Sequence, residues 1–218
     1  MTTQFDPDAF IAGIRTAQKK VTIFLAADLA GELSDVEEDL ELLDSQNEDE
    51  EQTLSAGAEK AELIEKRDRL QAELEDSAVE FTVRALAQEQ VEKIGREARK
   101  TAAERADQAA KEAAGYAREE CRRAEVGDSK EIKEAVRSAA SKASNAILSK
   151  EAGLHIISHA IVTDTGERAF TPEQMRDVSE GLGEPQMNKL YAAFYELTST
   201  DPGEFVPKSQ KPGPKAEG

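Results

Sequence analysis

Two histidines, His155 and His159, stand one helical turn apart in the stretch GLHIISHAIV, and the chain has no others. That i, i+4 spacing puts both imidazoles on one helix face, within reach of a single metal ion. The rest of a metal site is missing from the sequence. No glutamate follows His155 to make the zinc-protease arrangement, and the sole cysteine is Cys121. The pair is therefore expected to be two polar positions on a partly buried helix, with no metal and no other cofactor. Cys121 is followed by Arg122 and Arg123, which favour a thiolate. An alanine-rich helix offers no cleft for a nucleophile, however, so a small residue on a helix face is expected. The acidic runs DVEEDLELLD and NEDEEQ lack the alternating ligands and central glycine of a calcium loop. They are expected to be solvated helix surface. No phosphate-cradling glycine loop, serine elbow or dinucleotide fingerprint occurs. No catalytic residue is assigned, and the chain is expected not to be an enzyme.

Composition narrows the partners. Of 218 residues, 45 are acidic and 28 basic, for a net charge of −17, and tryptophan is absent. Such a field repels a phosphate backbone, so nucleic acid is not an expected partner. Aromatic residues make up only 5% of the chain, which points to elongated helices around modest cores. No apolar run approaches the roughly 20 residues of a membrane span, and MTTQFDPDAF lacks the regions of a signal peptide. One cysteine excludes an internal disulfide and fits a reducing compartment. A soluble, cytoplasmic chain without a membrane partner is the expectation.

The elements that must position any site come from periodicity. FDPDAFIAGI reads as a short helix, with Asp6 as cap, Pro7 in the first turn and Gly13 near its end. VTIFLAADL, residues 21–29, alternates Val21, Ile23 and Leu25 against Thr22 and Phe24 as a half-buried strand does. A second such segment, VEFTVRAL, residues 79–86, alternates Val79, Phe81 and Val83 and is the expected partner. Between them Leu29, Leu33, Val36, Leu40 and Leu43 form a heptad seam, with Ser34 and Glu37 in a capping-box pattern at its start. SQNEDEEQT is expected to turn the chain, and Leu63, Leu70 and Leu74 mark the returning helix. An antiparallel helical hairpin would bring the two strands together. The fold class is thus mainly α with a small antiparallel β pair, in a β-α-α-β unit bearing a helical-hairpin arm. Two strands alone are marginal in water, so the pair needs a third strand, a packed helix or another molecule.

A long Ala- and charge-rich helix follows from Gln88 to about Arg123, with Val91, Ile94, Ala98, Ala102, Ala109 and Ala113 on one face. EVGDSKE breaks it, Asp128 caps the next helix, and TDTGERA is a turn. In the C-terminal module Thr171, Pro172 and Gln174 open a helix, Gly181 and Gly183 end it, and Pro185 opens another. The expected divisions are 1–86, 87–150, 151–200 and a disordered tail, 201–218. The stripe of Leu190, Tyr191 and Phe194 on the last helix is either core or an anchor offered to a partner. The strand pair carries the same ambiguity, because an exposed edge can capture an extended segment. Candidate client-binding residues are accordingly Val21, Ile23, Leu25, Val79, Phe81, Val83, Leu190, Tyr191 and Phe194.

Taken in order, DPDAFIAGI, VTIFLAADLAGEL, ELEDSAVEFTVRAL and AIVTDTGERAFTPEQMRDVSEGLGEPQMNKLYAAFYELT resemble the tail assembly chaperones of long-tailed phages infecting actinobacteria. The resemblance covers roughly residues 6–90 and 154–208. The helical stretch from about 95 to 150 departs from it. It implies a non-enzymatic factor of the host cytoplasm, absent from the mature virion, whose partners are the phage tape measure protein and the tail tube protein. Self-association is left open. Two rival readings stand beside it. A structural coiled-coil or scaffold protein would explain the helices but not the strands. An acidic nucleic-acid mimic would use the first eighty residues, where 22 acidic side chains face 7 basic ones.

Overall fold

The computed structural model describes residues 15–47 and 54–201, together with Asp6, Asp8 and Gly13. Its elements run β1 (Gln18–Phe24), α1 (Leu29–Asn47), α2 (Leu54–Asp76), β2 (Ala78–Arg84), α3 (Gln88–Arg123), α4 (Ser129–Ala160), β3 (Ile161–Val162) and α5 (Pro172–Ser199). The fold is mainly helical, with one antiparallel sheet in the order β1-β2-β3. Ala85 N–H donates to Ala17 O at 2.9 Å, and Leu25 N–H donates to Ser77 O at 3.1 Å. These bonds clamp the paired strands at both ends. On the other side of β2, Thr82 lies opposite Val162 and Val83 opposite Ile161.

The third strand meets the need that the sequence raised, from a segment that reads as helix. Strand bounds also differ. The first strand was expected to begin at Val21 and continue to Leu29, but β1 begins at Gln18 and ends at Phe24. Leu25 is 58% exposed rather than facing inward with Val21 and Ile23. The reason lies in Ser77, which closes the base of the hairpin: it takes Leu25 N–H on its carbonyl and Ala26 N–H on its hydroxyl. The chain then turns through Ala27 and Asp28 into α1. Ser34 and Glu37 lie inside α1, which starts at Leu29, so they cap nothing. Most of the N-terminal helix, the centre of the SQNEDEEQT turn and the tail beyond Asp201 fall outside the described residues. Asp6 does take Asp8 N–H at 3.0 Å on its carboxylate.

The chain divides into two compact units, Lys20–Phe81 with Asp177–Lys189, and Met1–Lys19 with Thr82–Arg176 and Leu190–Gly218. In the first unit α1 and α2 form the arm. Leu29, Val36 and Leu70 are buried in it, with Ala26, Leu33, Leu40, Leu63 and Leu74 packed around them. Lys60 pairs with Asp44 across the two helices, and Lys20 pairs with Glu80 across the strands. Lys189 Nζ stands 5.1 Å from the centre of the Phe24 ring, a cation–π contact.

In the second unit α3 and α4 pack against each other as a helical hairpin. The seam on α3 is Ile94, Ala98, Ala102, Ala106 and Ala114. Alanine permits close helix approach but removes little apolar area from water per residue. Glu125 closes the connection with φ of 50°, a conformation uncommon for a residue with a Cβ. Asp128 caps α4 by accepting Lys130 N–H at 2.7 Å. Thr171 and Gln174 exchange the two bonds of a capping box at the start of α5. That helix kinks at Gly183, where φ is 73° and ψ 168°, a conformation glycine adopts without penalty. A Cβ at Gly153 would lie 3.3 Å from Cε1 of Tyr191, so a larger residue there would push that ring by a few tenths of an ångström.

Leu70→Ala is expected to lower the unfolding free energy by about 2–5 kcal/mol. Leu25→Ala, at an exposed position, is expected to stay within about 0.5 kcal/mol of the parent. Urea titrations of the two variants measure both.

Candidate functional site

The most chemically loaded place in the second unit is a carboxylate. Glu151 on α4 has a side chain only 3% exposed, and two arginines reach it from different helices. Arg105 on α3 donates Nη2 to Oε2 at 2.5 Å, and Arg176 on α5 donates Nη2 to Oε1 at 2.5 Å. Burial pushes the Glu151 carboxyl up, and the two guanidiniums outweigh it, holding the group below the usual carboxylate range. His155, one turn along, brings Nε2 to 3.3 Å from Oε1, but off the line of a hydrogen bond, so that nitrogen has no hydrogen-bond partner. A general acid or base needs a proton free to move and a cleft beside it. Glu151 is already engaged by both guanidiniums. It ties three helices together.

The two histidines are turned to different tasks. His155 faces Glu151, whereas His159 Nε2 lies 3.2 Å from Arg168 Nη1. Among the described residues no group of three or more His, Cys, Asp or Glu side chains could hold a metal ion. Cys121 is a free thiol near the end of α3, and its neighbours Arg122 and Arg123 both pair with Glu119.

The residues proposed from sequence to meet a client are spread over both units. Val21, Ile23, Val83, Leu190 and Phe194 are buried. Val79, Phe81 and Tyr191 are partly covered, and Leu25 is exposed. Tyr195, next to Phe194, is 65% exposed and was not singled out.

A different apolar surface lies on the arm. Leu42, Leu43 and Leu63 line a cleft of about 910 Å³ between α1 and α2, edged by Asp39, Glu59, Glu62, Glu65, Lys66 and Arg69. Leu42 is 52% exposed there. Its signal in the sequence is a leucine one step off the heptad seam. Along α1 the charge is entirely acidic: the helix LAGELSDVEEDLELLDSQN contains no Lys or Arg.

Compared with known proteins, the chain matches no family model, no curated protein and no solved structure. Among the described residues no helix is long and apolar enough to cross a membrane.

Replacing Glu151 by Gln is expected to cost about 1–3 kcal/mol at neutral pH, because two charge-assisted hydrogen bonds weaken. Acid should act through the same group. Its folded value lies below the ordinary 4.5, so its contribution is whole above that pH and is lost as pH falls through the folded value. His159 is pushed below its ordinary 6.5 by burial first, then by Arg168 and His155. It adds a loss of the same sign that begins near pH 6.5. The urea midpoint of Glu151→Gln should therefore keep the upper limb and lose the lower one.

Proposed function

We propose that this chain is a non-enzymatic tail assembly chaperone of a long-tailed phage infecting actinobacteria. On this reading it binds the tape measure protein, assists the tail tube protein around it in the host cytoplasm, and leaves before the virion is complete. The observation that carries the reading is an order of segments: a short strand, an acidic helical hairpin, the partner strand ending in FTVRAL, and later FTPEQM with LGEPQMNKLYAAFYELT. That order resembles the family's.

The physical properties of the arm support it. A client with exposed apolar helix needs a surface that shields it without becoming permanent. The leucine-lined cleft is small beside an obligate interface, and the acidic rim keeps two loaded chaperones apart by repulsion. The alanine seam weighs against the scaffold reading, since α3 and α4 use it on each other rather than leaving it for other copies.

Affinity capture from cells expressing this chain with the long, helix-rich tape measure protein of the same phage is expected to recover both. In sedimentation velocity the chain alone should remain a small oligomer and shift on adding client. Leu42→Glu is expected to weaken capture about tenfold, the effect of losing one buried anchor. Large self-assembled species without client, and no capture with it, would reject the chaperone in favour of a scaffold.

A further inference from the structure

In a chain with so large an excess of acid, a cleft in the second unit has more cationic than acidic side chains on its lining. Arg84 ends β2, Lys93 lies on α3, His159 on α4 and Arg168 on the turn after β3. A cleft of about 210 Å³ is lined by Arg84, Gln90, Lys93, Glu97 and His159, with the apolar Leu86 and Ile94. Arg168 reaches the same imidazole from outside the cleft. Among the described residues, Arg84, Lys93 and Arg168 make no salt bridge to any carboxylate. Arg84 donates Nη1 to Gly166 O at 3.2 Å, and its buried Nε has no hydrogen-bond partner.

The imidazole records the local field. With Arg168 Nη1 as donor, His159 Nε2 is the acceptor and the ring is neutral, its proton on Nδ1. Burial, Arg168, His155 and Arg84 all disfavour a further positive charge there, and only Glu97 opposes them. Arg84 and Lys93 on the lining, with Arg168 beside the imidazole, outnumber the lining carboxylate Glu97. Arg84 is half-buried and its Nε is buried without a hydrogen-bond partner, and an unmet buried donor on a charged group is costly.

We propose that this cleft binds a phosphate dianion. The anion brings negative charge to cations that pair with no carboxylate among the described residues, and its tetrahedral oxygens give guanidinium and ammonium donors several acceptors at once. The dianion is either inorganic phosphate or the phosphoryl group of a larger molecule, since both present the same chemistry. The inference is independent of the chaperone reading.

The test uses the full chain and its two histidines as reporters. Ring C–H resonances of His155 and His159 are followed against pH by NMR in chloride, inorganic phosphate, phosphoserine and sulfate at one ionic strength; sulfate stays doubly charged throughout. A dianion in the cleft should raise the His159 midpoint saturably by about one unit relative to chloride. Lys93→Ala, at an exposed site on α3, and Arg168→Gln should each raise the dissociation constant about tenfold. Unchanged His155 ring shifts certify that these variants are folded. Equal binding by inorganic phosphate and phosphoserine assigns the site to the free ion, and tighter binding by phosphoserine assigns it to a phosphoryl group. No difference between chloride and the dianions at His159, or undiminished affinity in Lys93→Ala, overturns the proposal.

Discussion

The backbone of β2 needs hydrogen-bond partners on both of its edges, and that requirement organises the chain. An N–H or C=O removed from water without a partner costs as much as a lost hydrogen bond. One edge is met by β1, which is close in space only because α1 and α2 run out and back between the strands. Ser77 locks the return, accepting from Ala26 and Leu25 and donating to Leu74 O at 2.7 Å. The other edge is met by β3, delivered by the helical hairpin that follows. Both hairpins are thus long connections whose ends must meet at one strand.

The second unit replaces apolar volume with directed charge. A seam of alanines fixes how near two helices can come but says little about their register, because neighbouring alanines are interchangeable. Glu151 removes that degeneracy. Its two oxygens are committed to Arg105 and Arg176, so sliding α4 by one turn would leave a buried carboxylate alone, and sliding α3 or α5 would strip it of one partner. Such pairs contribute less to net stability than to uniqueness, since well-packed hydrophobes of equal volume can do as well energetically. In a chain poor in large hydrophobes, uniqueness is the scarcer property.

What the sequence disclosed follows the range of the interactions involved. The seam of Leu29, Leu33, Val36 and Leu40, the cap at Asp128, the box of Thr171 and Gln174, and the break at Gly183 are all encoded within a few residues, and all are found. β3 was hidden because Ile161 and Val162 extend the apolar face of the helix before them, and two residues carry no period of their own. Glu151 was hidden because a glutamate between lysine and alanine looks like surface; its partners are 46 and 25 residues away. Leu25 misled because alternation ran one step past the strand. Several proposed contact residues, Ile23 and Leu190 among them, proved to be core, as apolar periodicity marks what faces inward. Leu42 shows the complementary signal, an apolar side chain that the seam does not need.

The shortness of β3 has a consequence for how this sheet meets other polypeptides. Its Val162 is bridged to Arg168 by the turn that follows, and Ala169 N–H reaches back to Ile161 O at 3.0 Å. The chain thereby plugs that flank with its own backbone. Among the described residues no strand lies on the far flank of β1. Growth by added strands on the β3 side is therefore closed: a neighbour's extended segment would meet a flank already paired to the chain's own turn.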